Sequence, residues 1–257
     1  MENQQFEELI YKANLSERAE RFDDMAVHME EIIKICRDEG REIDIKTRNL
    51  FSIAYKNLAG ARRASWRILN GECERQDKTS NKYALAKGYI DVVVAELHKI
   101  CDEVLLLIED FILPMIKPDN VESMVFFLKM KADYYRYKAE VSSDAMLESC
   151  KSKSQEAYES ATRAAMSLKS TSPVRLGLAL NYSVFYYEIL RKCEKACKLA
   201  KRAFDEAITE LDSLSEDHYK DSTLIMQLLR DNLTLWTSQE EDLRDDETED
   251  ETNVGHN

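Results

Sequence analysis

The sequence predicts an all-α protein, and three observations support this fold class. Apolar residues recur at spacings of three and four along almost the whole chain, and no stretch shows the alternation of a half-buried strand. Only 6 glycines and 3 prolines occur in 257 residues, which is too few for the many turns of an all-β fold. Charged residues make up 33% of the chain, as expected for helices with solvated outer faces.

Nine helices are predicted from this spacing. Their ranges are 3–16, 20–37, 44–70, 80–112, 121–142, 147–167, 173–190, 193–212 and 216–237. Gly40 separates the second helix from the third, and Pro114 and Pro118 separate the fourth from the fifth. The fourth helix, if continuous, is roughly 45 Å long, and helices of this length favour a stacked antiparallel array.

Two later helices have recognisable starts. Ser172 precedes Pro173, which matches an N-cap followed by proline at the first helical position. Ser215 precedes Glu216 and Asp217, and these acids suit the positive end of a helix dipole. Both starts support the predicted boundaries of the seventh and ninth helices.

The domain organisation predicted from the sequence is one helical domain over residues 1–237 and an acidic tail over 238–257. No linker long enough to divide two domains interrupts the first range. From Ser238 onward nine acidic residues face one base, Arg244, so this segment carries −8 of the total charge of −13. Because the segment also has almost no apolar residues, it is predicted to be disordered.

Composition argues against several functional classes. A net charge of −13 is unfavourable for a nucleic-acid surface. The longest purely apolar run, Val104–Ile108, is far shorter than the roughly 20 residues that span a bilayer, so membrane insertion is not expected. The chain begins with polar sequence and no signal-peptide pattern. The six cysteines are therefore expected as reduced thiols in the cytoplasm, with the nucleus as a second location.

Metal and cofactor sites are not expected. Cys193 and Cys197 are four residues apart and share a helix face. A structural zinc site needs four ligands, and no histidine lies near this pair. The sequence therefore predicts neither a metal nor a cofactor.

The third predicted helix carries a basic stripe. Lys56, Arg63 and Arg67 are seven and four residues apart, which places them within about 40° of each other around a helix. No acidic residue lies between Lys56 and Arg67, so the cations repel each other unless an anion sits among them. The stripe indicates either an anion-binding surface or a solvated charged face.

The fifth predicted helix carries a second cationic signal. Arg136 is enclosed by Tyr134, Tyr135 and Tyr137. A guanidinium next to a tyrosine hydroxyl gives a fork of donors plus one more donor, which suits an anion. The alternative is an aromatic helix interface from which Arg136 extends outward.

Two further helices each carry an apolar face with one asparagine embedded in it. The residues on these faces are Leu180, Asn181, Val184 and Glu188 on the seventh helix, and Leu224, Ile225, Leu228, Asn232 and Trp236 on the ninth. An apolar face usually belongs to the core, but a buried amide without a partner costs roughly 1–3 kcal/mol. An asparagine side chain donates and accepts, so it suits the main chain of an extended peptide.

At these residues the sequence resembles the 14-3-3 family over about residues 4–237. The resemblance is carried by four segments in the same order: Arg48–Arg67, Leu128–Glu140, Pro173–Leu190 and Lys220–Trp236. It implies nine antiparallel helices that dimerise through their N-terminal helices into a cup with amphipathic peptide-binding grooves. The implied activity is that of an adaptor for phosphoserine and phosphothreonine peptides, with no catalysis.

The resemblance also assigns roles to individual residues. Phosphate binding is implied for Lys56, Arg63, Arg136 and Tyr137. Asn181 and Asn232 are implied to hold the peptide main chain, and Leu180, Val184, Leu224, Ile225, Leu228 and Trp236 to form the apolar wall. Arg67, Lys129 and Glu188 match residues that support the site or extend the contact.

The implied dimer interface contains seven matched residues. They are Leu15, Ala19, Arg21, Asp24, Ser65, Tyr89 and Glu96. Arg21 and Glu96 match a usual pair across the dimer, whereas Val92 stands where the family commonly has a lysine that pairs with the position of Asp24. The expected partners are therefore phosphorylated clients and a second copy of the chain, with a heterodimer as a further form.

Two other functional classes compete with this interpretation. A helical-repeat scaffold of the tetratricopeptide kind would bind peptides without phosphate dependence, but no 34-residue self-similarity is present. A helical prenyl-transferring enzyme would need two aspartate motifs. Asp23-Asp24 has no counterpart in the folded range, and Asp245-Asp246 lies in the acidic tail. No glycine-rich phosphate loop or nucleophile–base pattern is visible.

Overall fold

The computed structural model describes the backbone of residues 2–211 and 216–253 and the side chains of residues 4–211 and 219–239. Within these ranges the chain forms nine α-helices and no strand, which confirms the predicted all-α fold class. The helices are α1 (Glu2–Arg18), α2 (Phe22–Glu39), α3 (Ile45–Glu74), α4 (Asn81–Leu106), α5 (Val121–Val141), α6 (Asp144–Ala165), α7 (Pro173–Val184), α8 (Cys193–Thr209) and α9 (Glu216–Asn253).

The end of α2 and the start of α7 lie at the glycine, serine and proline that the sequence predicted. Gly40 ends α2 in the left-handed conformation, with φ of 62°, which costs glycine nothing because it has no Cβ. Asp44 caps α3 by accepting a hydrogen bond from the Thr47 backbone N–H at 2.7 Å. Ser172 caps α7, and Pro173 is its first residue. These caps satisfy backbone donors that have no partner within the helix.

The chain divides into two compact units, Met1–Ala157 and Tyr158–Asn257. In the first unit α1 to α5 pack around a large core, whose fully buried side chains include Phe51, Tyr55 and Phe127. In the second unit α7, α8 and α9 pack around a smaller core that includes Leu176 and Leu229. The single helical domain over residues 1–237 stays a prediction, and the two units are described separately below.

Two helices continue into wider turns that the sequence did not predict. After α4 the chain forms a π-helical segment, Leu107–Ile112, and a short 3₁₀ turn, Leu113–Met115. After α7 it forms a second π-helical segment, Phe185–Ile189. A π-helical turn contains more residues than an α-helical one, so positions beyond it are rotated about the axis relative to the 3.6-residue period. The direction of Glu188 around the helix axis was predicted with the 3.6-residue period and is therefore changed by the π-helical segment.

The last helix is longer than predicted. The sequence predicted an end near Thr237, whereas α9 continues to Asn253, and the division into a domain over 1–237 and a tail over 238–257 stays a prediction. No glycine or proline lies between Glu216 and Asn253, so nothing stops the helix. Because extending a formed helix requires no new nucleation, it propagates through good helix formers such as glutamate. Residues 254–257 lie outside the described range.

Candidate functional site

The basic stripe of α3 meets a carboxylate from α5. Arg63 Nε lies 2.7 Å from one oxygen of Glu140, and Arg67 Nε lies 2.8 Å from the other. The Glu140 side chain is 13% exposed, so both guanidinium groups are fixed by a largely buried anion. The fold thereby joins the basic stripe of α3 to α5, through pairs whose members are 77 and 73 residues apart in the sequence.

Tyr137 lies next to two arginines. The Arg63 guanidinium carbon is 4.0 Å from the centre of the Tyr137 ring, and that of Arg136 is 4.8 Å from it. Tyr134 packs edge-on against the same ring, with 5.2 Å between centroids. Each guanidinium is attracted to the ring electrons, so Tyr137 positions Arg63 and Arg136 near one another.

Asp133 holds the cations of α5. Its carboxylate accepts a hydrogen bond from Lys129 Nζ at 2.8 Å and one from an Arg136 terminal nitrogen at 3.3 Å. The side chains of Asp133 and Arg136 are 6% and 7% exposed. A buried charge is tolerated where it is paired and hydrogen-bonded, so this arrangement fixes Arg136 in place.

Lys56 differs from the other cations because it is exposed. Within the part of the chain whose side chains are described, no carboxylate lies within 4.0 Å of its ammonium group. We call Lys56, Arg63, Arg67, Lys129, Arg136, Asp133, Glu140 and Tyr137 the cationic cluster. Its five cations and two carboxylates leave a formal charge of +3, in a protein whose total charge is −13.

The ionisation of Glu140 follows from its neighbours. Burial by itself raises the pKa of this carboxyl, but the positive charges and hydrogen bonds of Arg63 and Arg67 outweigh burial, so the pKa lies below its ordinary value. Glu140 is therefore a stable anion at neutral pH. It neutralises part of the cluster without a bound ligand.

This arrangement corrects one step of the sequence argument. The stripe was expected to be repulsive when empty because no acid lies between Lys56 and Arg67. The structure instead supplies Glu140 from another helix, and Asp133 acts in the same way within α5. Sequence reasoning assigned neither acid to the site. The pairing of Asp133 could have been predicted from the sequence, since it lies four residues after Lys129 and three before Arg136. Nothing in the sequence near Glu140 indicates its pairing with Arg63 and Arg67.

The predicted groove residues all lie in the second unit, where α7 and α9 pack on the same core. Leu224 and Leu228 are 63% and 43% exposed, so both present apolar surface to solvent. Leu180, Val184 and Ile225 are half-buried against the core. Asn181 and Asn232 are half-buried, and Glu188 is exposed. Most of these residues thus remain accessible on a surface of mixed apolar and amide character.

Trp236 is more buried than the other predicted wall residues. It is only 4% exposed and stacks on Tyr187, with 4.7 Å between ring centroids. Its place is in the core between the last part of α9 and the π-helical segment after α7. Its role in the wall of the groove stays a prediction.

The predicted interface residues lie on the surface of the first unit. Leu15, Tyr89 and Val92 are 45%, 60% and 52% exposed, and Ala19 and Ser65 are also exposed. Leu15 lies on α1, and Tyr89 and Val92 lie on α4. Large apolar side chains exposed to solvent are candidates for a protein–protein contact.

Ion pairs at this surface differ from those that the family suggests across a dimer. Within the chain Arg21, which immediately precedes α2, pairs with Asp24 in the first turn of that helix. Arg62 pairs with Glu96 at 3.3 Å and with Asp23 at 3.1 Å. Asp24 therefore has a cationic partner in the absence of the lysine that Val92 replaces.

The comparison with protein families agrees with this fold. The family model described as 14-3-3 protein matches residues 12–237 of the chain. The chain belongs to the 14-3-3 family. It is 52% identical over 243 residues to the 14-3-3 protein homolog of Encephalitozoon cuniculi, covering 94% of each chain.

Other 14-3-3 relatives are equally similar. Identity is 53% over 233 residues with 14-3-3-like protein 2 of Caenorhabditis elegans and 52% over 233 residues with 14-3-3 protein beta/alpha of Homo sapiens. Each alignment covers 90% of this chain and 92% of the relative. Membership of the 14-3-3 family supports an adaptor role and implies client binding and dimerisation.

Two features are absent from the described residues. No helix there is long and apolar enough to cross a membrane. No group of three or more histidine, cysteine, aspartate or glutamate side chains within the described ranges is arranged to hold a metal ion.

Proposed function

We propose that the cationic cluster binds the phosphate of phosphoserine and phosphothreonine segments in client proteins. The observation that carries this proposal is the net charge of +3 concentrated around Arg63, Arg136 and Tyr137. Lys56, Arg63 and Arg136 supply the positive charge, and the Tyr137 hydroxyl supplies a further donor. Arg67 and Lys129 support the site through their pairs with Glu140 and Asp133.

The charge of the ligand explains the expected selectivity. A phosphorylated side chain carries about −1.5 to −2 charges near pH 7, whereas serine carries none. Hydrogen bonds to charged groups contribute roughly 1.5–3 kcal/mol each. Because Asp133 and Glu140 hold the arginines before a ligand arrives, little ordering is needed on binding. Two or three such bonds are enough to separate a phosphopeptide from its unmodified form.

The second unit is proposed to bind the rest of the client segment. Asn181 and Asn232 would pair with its main chain, and Leu180, Val184, Leu224, Ile225 and Leu228 would contact its apolar side chains. Glu188 would extend the contact to polar residues of the client. The exposure of Leu224 and Leu228 supports this part of the proposal, since exposed leucines gain from being covered.

The dimer is proposed to give the adaptor its regulatory effect. Two copies of the chain, or this chain with a related one, would present two phosphate sites. A client with two phosphorylated segments then binds with a higher avidity than either segment alone. Depending on the client, such binding would join two proteins, mask a surface or clamp one conformation.

Calorimetry with a peptide of the pattern Arg-Ser-x-phosphoserine-x-Pro, with and without its phosphate, tests the proposal. Arg136→Ala should weaken binding of the phosphorylated form at least tenfold, which corresponds to about 1.4 kcal/mol. Arg75→Ala is the matched control, because Arg75 is exposed at the end of α3 and pairs only loosely with Glu72, at 3.5 Å. It should bind like the unmodified protein.

Equal affinity for the two peptides would contradict the proposal. That result would instead favour the alternative function, a helical scaffold that binds peptides without phosphate dependence.

A further inference from the structure

The six cysteines fall into two groups by burial, and all of them lie in the described ranges. Cys36, Cys73, Cys101 and Cys150 are buried. Burial raises the pKa of Cys36 to about 11 and that of Cys101 to about 12. Since the thiolate is the reactive form of cysteine, buried thiols of this kind react slowly. Cys193 and Cys197 are only half-buried, so oxidants can reach them.

Cys193 and Cys197 are also in contact with each other. Their Sγ atoms are 3.9 Å apart. Residues four apart on an α-helix have Cα atoms separated by about 6 Å, and disulfides span Cα distances of about 4.4–6.8 Å. The Cβ atoms of such a pair are about 5–6 Å apart in a regular helix, whereas a disulfide spans about 3.5–4.5 Å between Cβ atoms. Forming the bond therefore requires a small shift of the first turn of α8, together with an approach of the two sulfur atoms by about 2 Å.

The position within α8 makes such a movement inexpensive and surrounds Cys193 with positive charge. Cys193 is the first residue of the helix, where the backbone N–H groups have no partner within the helix and the dipole favours negative charge. Arg191, Lys192 and Lys195 surround it in sequence, against one carboxylate, that of Glu194. Electropositive, accessible positions of this kind are where reactive cysteines occur.

A metal is a poorer match for this pair. Structural zinc requires four ligands, and no group of three or more suitable side chains exists among the described residues. Two sulfur atoms in contact, with nothing to complete a coordination shell, are better suited to bonding with each other.

We propose that Cys193 and Cys197 form a reversible disulfide within α8 when the protein meets a peroxide. The Cys193 thiolate attacks one peroxide oxygen, the O–O bond breaks, and a sulfenic acid forms while the other oxygen leaves as hydroxide, which takes up a proton as water. Cys197 then attacks the Cys193 sulfur, the S–O bond breaks, and a second water leaves. Two thiols lose two electrons and two protons in total, and one peroxide is reduced to two waters. A dithiol reductant reverses the change by exchange.

Mass spectrometry of the intact, full-length protein after hydrogen peroxide treatment tests this. The unmodified protein should lose two hydrogens in mass and two of its six thiols, as counted by alkylation after denaturation, and dithiothreitol should restore both. Trypsin cuts after Lys192, Lys195 and Lys198, so without reductant the bond should join the pieces Cys193–Lys195 and Ala196–Lys198.

Three variants make the result specific. Cys193→Ser and Cys197→Ser should each gain oxygen at the remaining thiol or stay unchanged, with no loss of two hydrogens. Cys73→Ser removes a buried thiol elsewhere and should behave like the unmodified protein, losing two of its five thiols. Retention of all six thiols in the unmodified protein, or a loss of two hydrogens in Cys193→Ser, would overturn the proposal.

Discussion

At the scale of single residues, two carboxylates determine how the cationic cluster is built. Glu140 accepts from Arg63 and Arg67, and Asp133 accepts from Arg136 and Lys129. Each acid joins two cations that would otherwise repel each other. The cluster is thereby ordered before any ligand binds, and its remaining positive charge is available to an anion.

Glu140→Gln should lower stability at neutral pH and flatten its dependence on acid. Because the folded pKa of Glu140 lies below its ordinary value of 4.5, its stabilising contribution is complete above that value. It is lost as pH falls through the folded pKa, since the unfolded chain takes up the proton first. The melting temperature of the variant should be lower at pH 7, by an amount equivalent to about 1–3 kcal/mol.

Melting curves between about pH 7 and about pH 3 measure this linkage. The difference between variant and unmodified protein should shrink as pH falls. Glu148→Gln is the control, since the Glu148 side chain is 72% exposed and pairs only with Lys151 of its own helix. A difference that stays constant over the whole pH range would show that Glu140 does not contribute through its charge.

The sequence predicted the cations of the cluster better than its acids. Lys56, Arg63 and Arg67 share a helix face, which the period of 3.6 residues shows directly. Glu140 reaches two of these residues only because α3 and α5 pack together, and helical periodicity carries no information about which helices are neighbours. A carboxylate that joins two helices is therefore visible only in the folded structure.

At the scale of secondary-structure elements, α9 carries two adjacent leucines with different roles. Leu229 is fully buried in the second core, whereas Leu228 is 43% exposed. The spacing of apolar residues predicted the helix, and its two faces follow from the same period. The π-helical segments were not predictable in this way, since a wider turn leaves the apolar spacing of short segments such as Phe185–Ile189 almost unchanged.

Leu228→Asp should prevent binding of phosphopeptides while the helical circular dichroism stays nearly unchanged. A carboxylate at this position removes apolar contact with the ligand, but it remains solvated in the empty protein. Leu229→Asp is the matched comparison, and it should unfold the second unit, because burying an unpaired charge is very costly. If Leu228→Asp also unfolds, then Leu228 belongs to the core and not to the binding surface.

At the scale of the whole molecule, charge and apolar surface are unevenly distributed. The chain carries −13 overall and −8 of this lies after Thr237, while the cationic cluster is locally positive. The apolar side chains of Leu15, Tyr89 and Val92 are exposed on the first unit. These features fit a protein that repels most anionic surfaces, attracts phosphate at one place and associates with a second copy.

The protein should sediment as a dimer at micromolar concentration, and Ser65→Glu should shift it toward monomer. Ser65 is exposed and its hydroxyl donates to the Ala61 carbonyl, so a glutamate fits the isolated chain. In the proposed interface the new charge would meet acids such as Glu96 and Asp24, at a cost in repulsion and desolvation. Exposed ion pairs contribute only about 0–1 kcal/mol, so Val92 alone should not prevent dimerisation.

Analytical ultracentrifugation decides both points. Ser167→Glu is the control, because Ser167 is likewise exposed and donates to a carbonyl one turn earlier, that of Ala164, but lies outside the proposed interface. It should remain a dimer. A monomer of the unmodified protein would exclude the proposed interface, and an undisturbed Ser65→Glu dimer would show that Ser65 lies outside it.

The positive charge that remains at the cationic cluster bears on whether a glutamate can replace the phosphorylated serine of a client. Asp133 and Glu140 already satisfy part of the arginine donors, while Lys56 has no carboxylate within 4.0 Å among the described side chains. A phosphomimetic client, in which glutamate replaces the modified serine, brings one charge where a phosphate brings nearly two. It would leave much of the positive charge of the cationic cluster unneutralised. A client with such a substitution is therefore expected to bind like the unphosphorylated client.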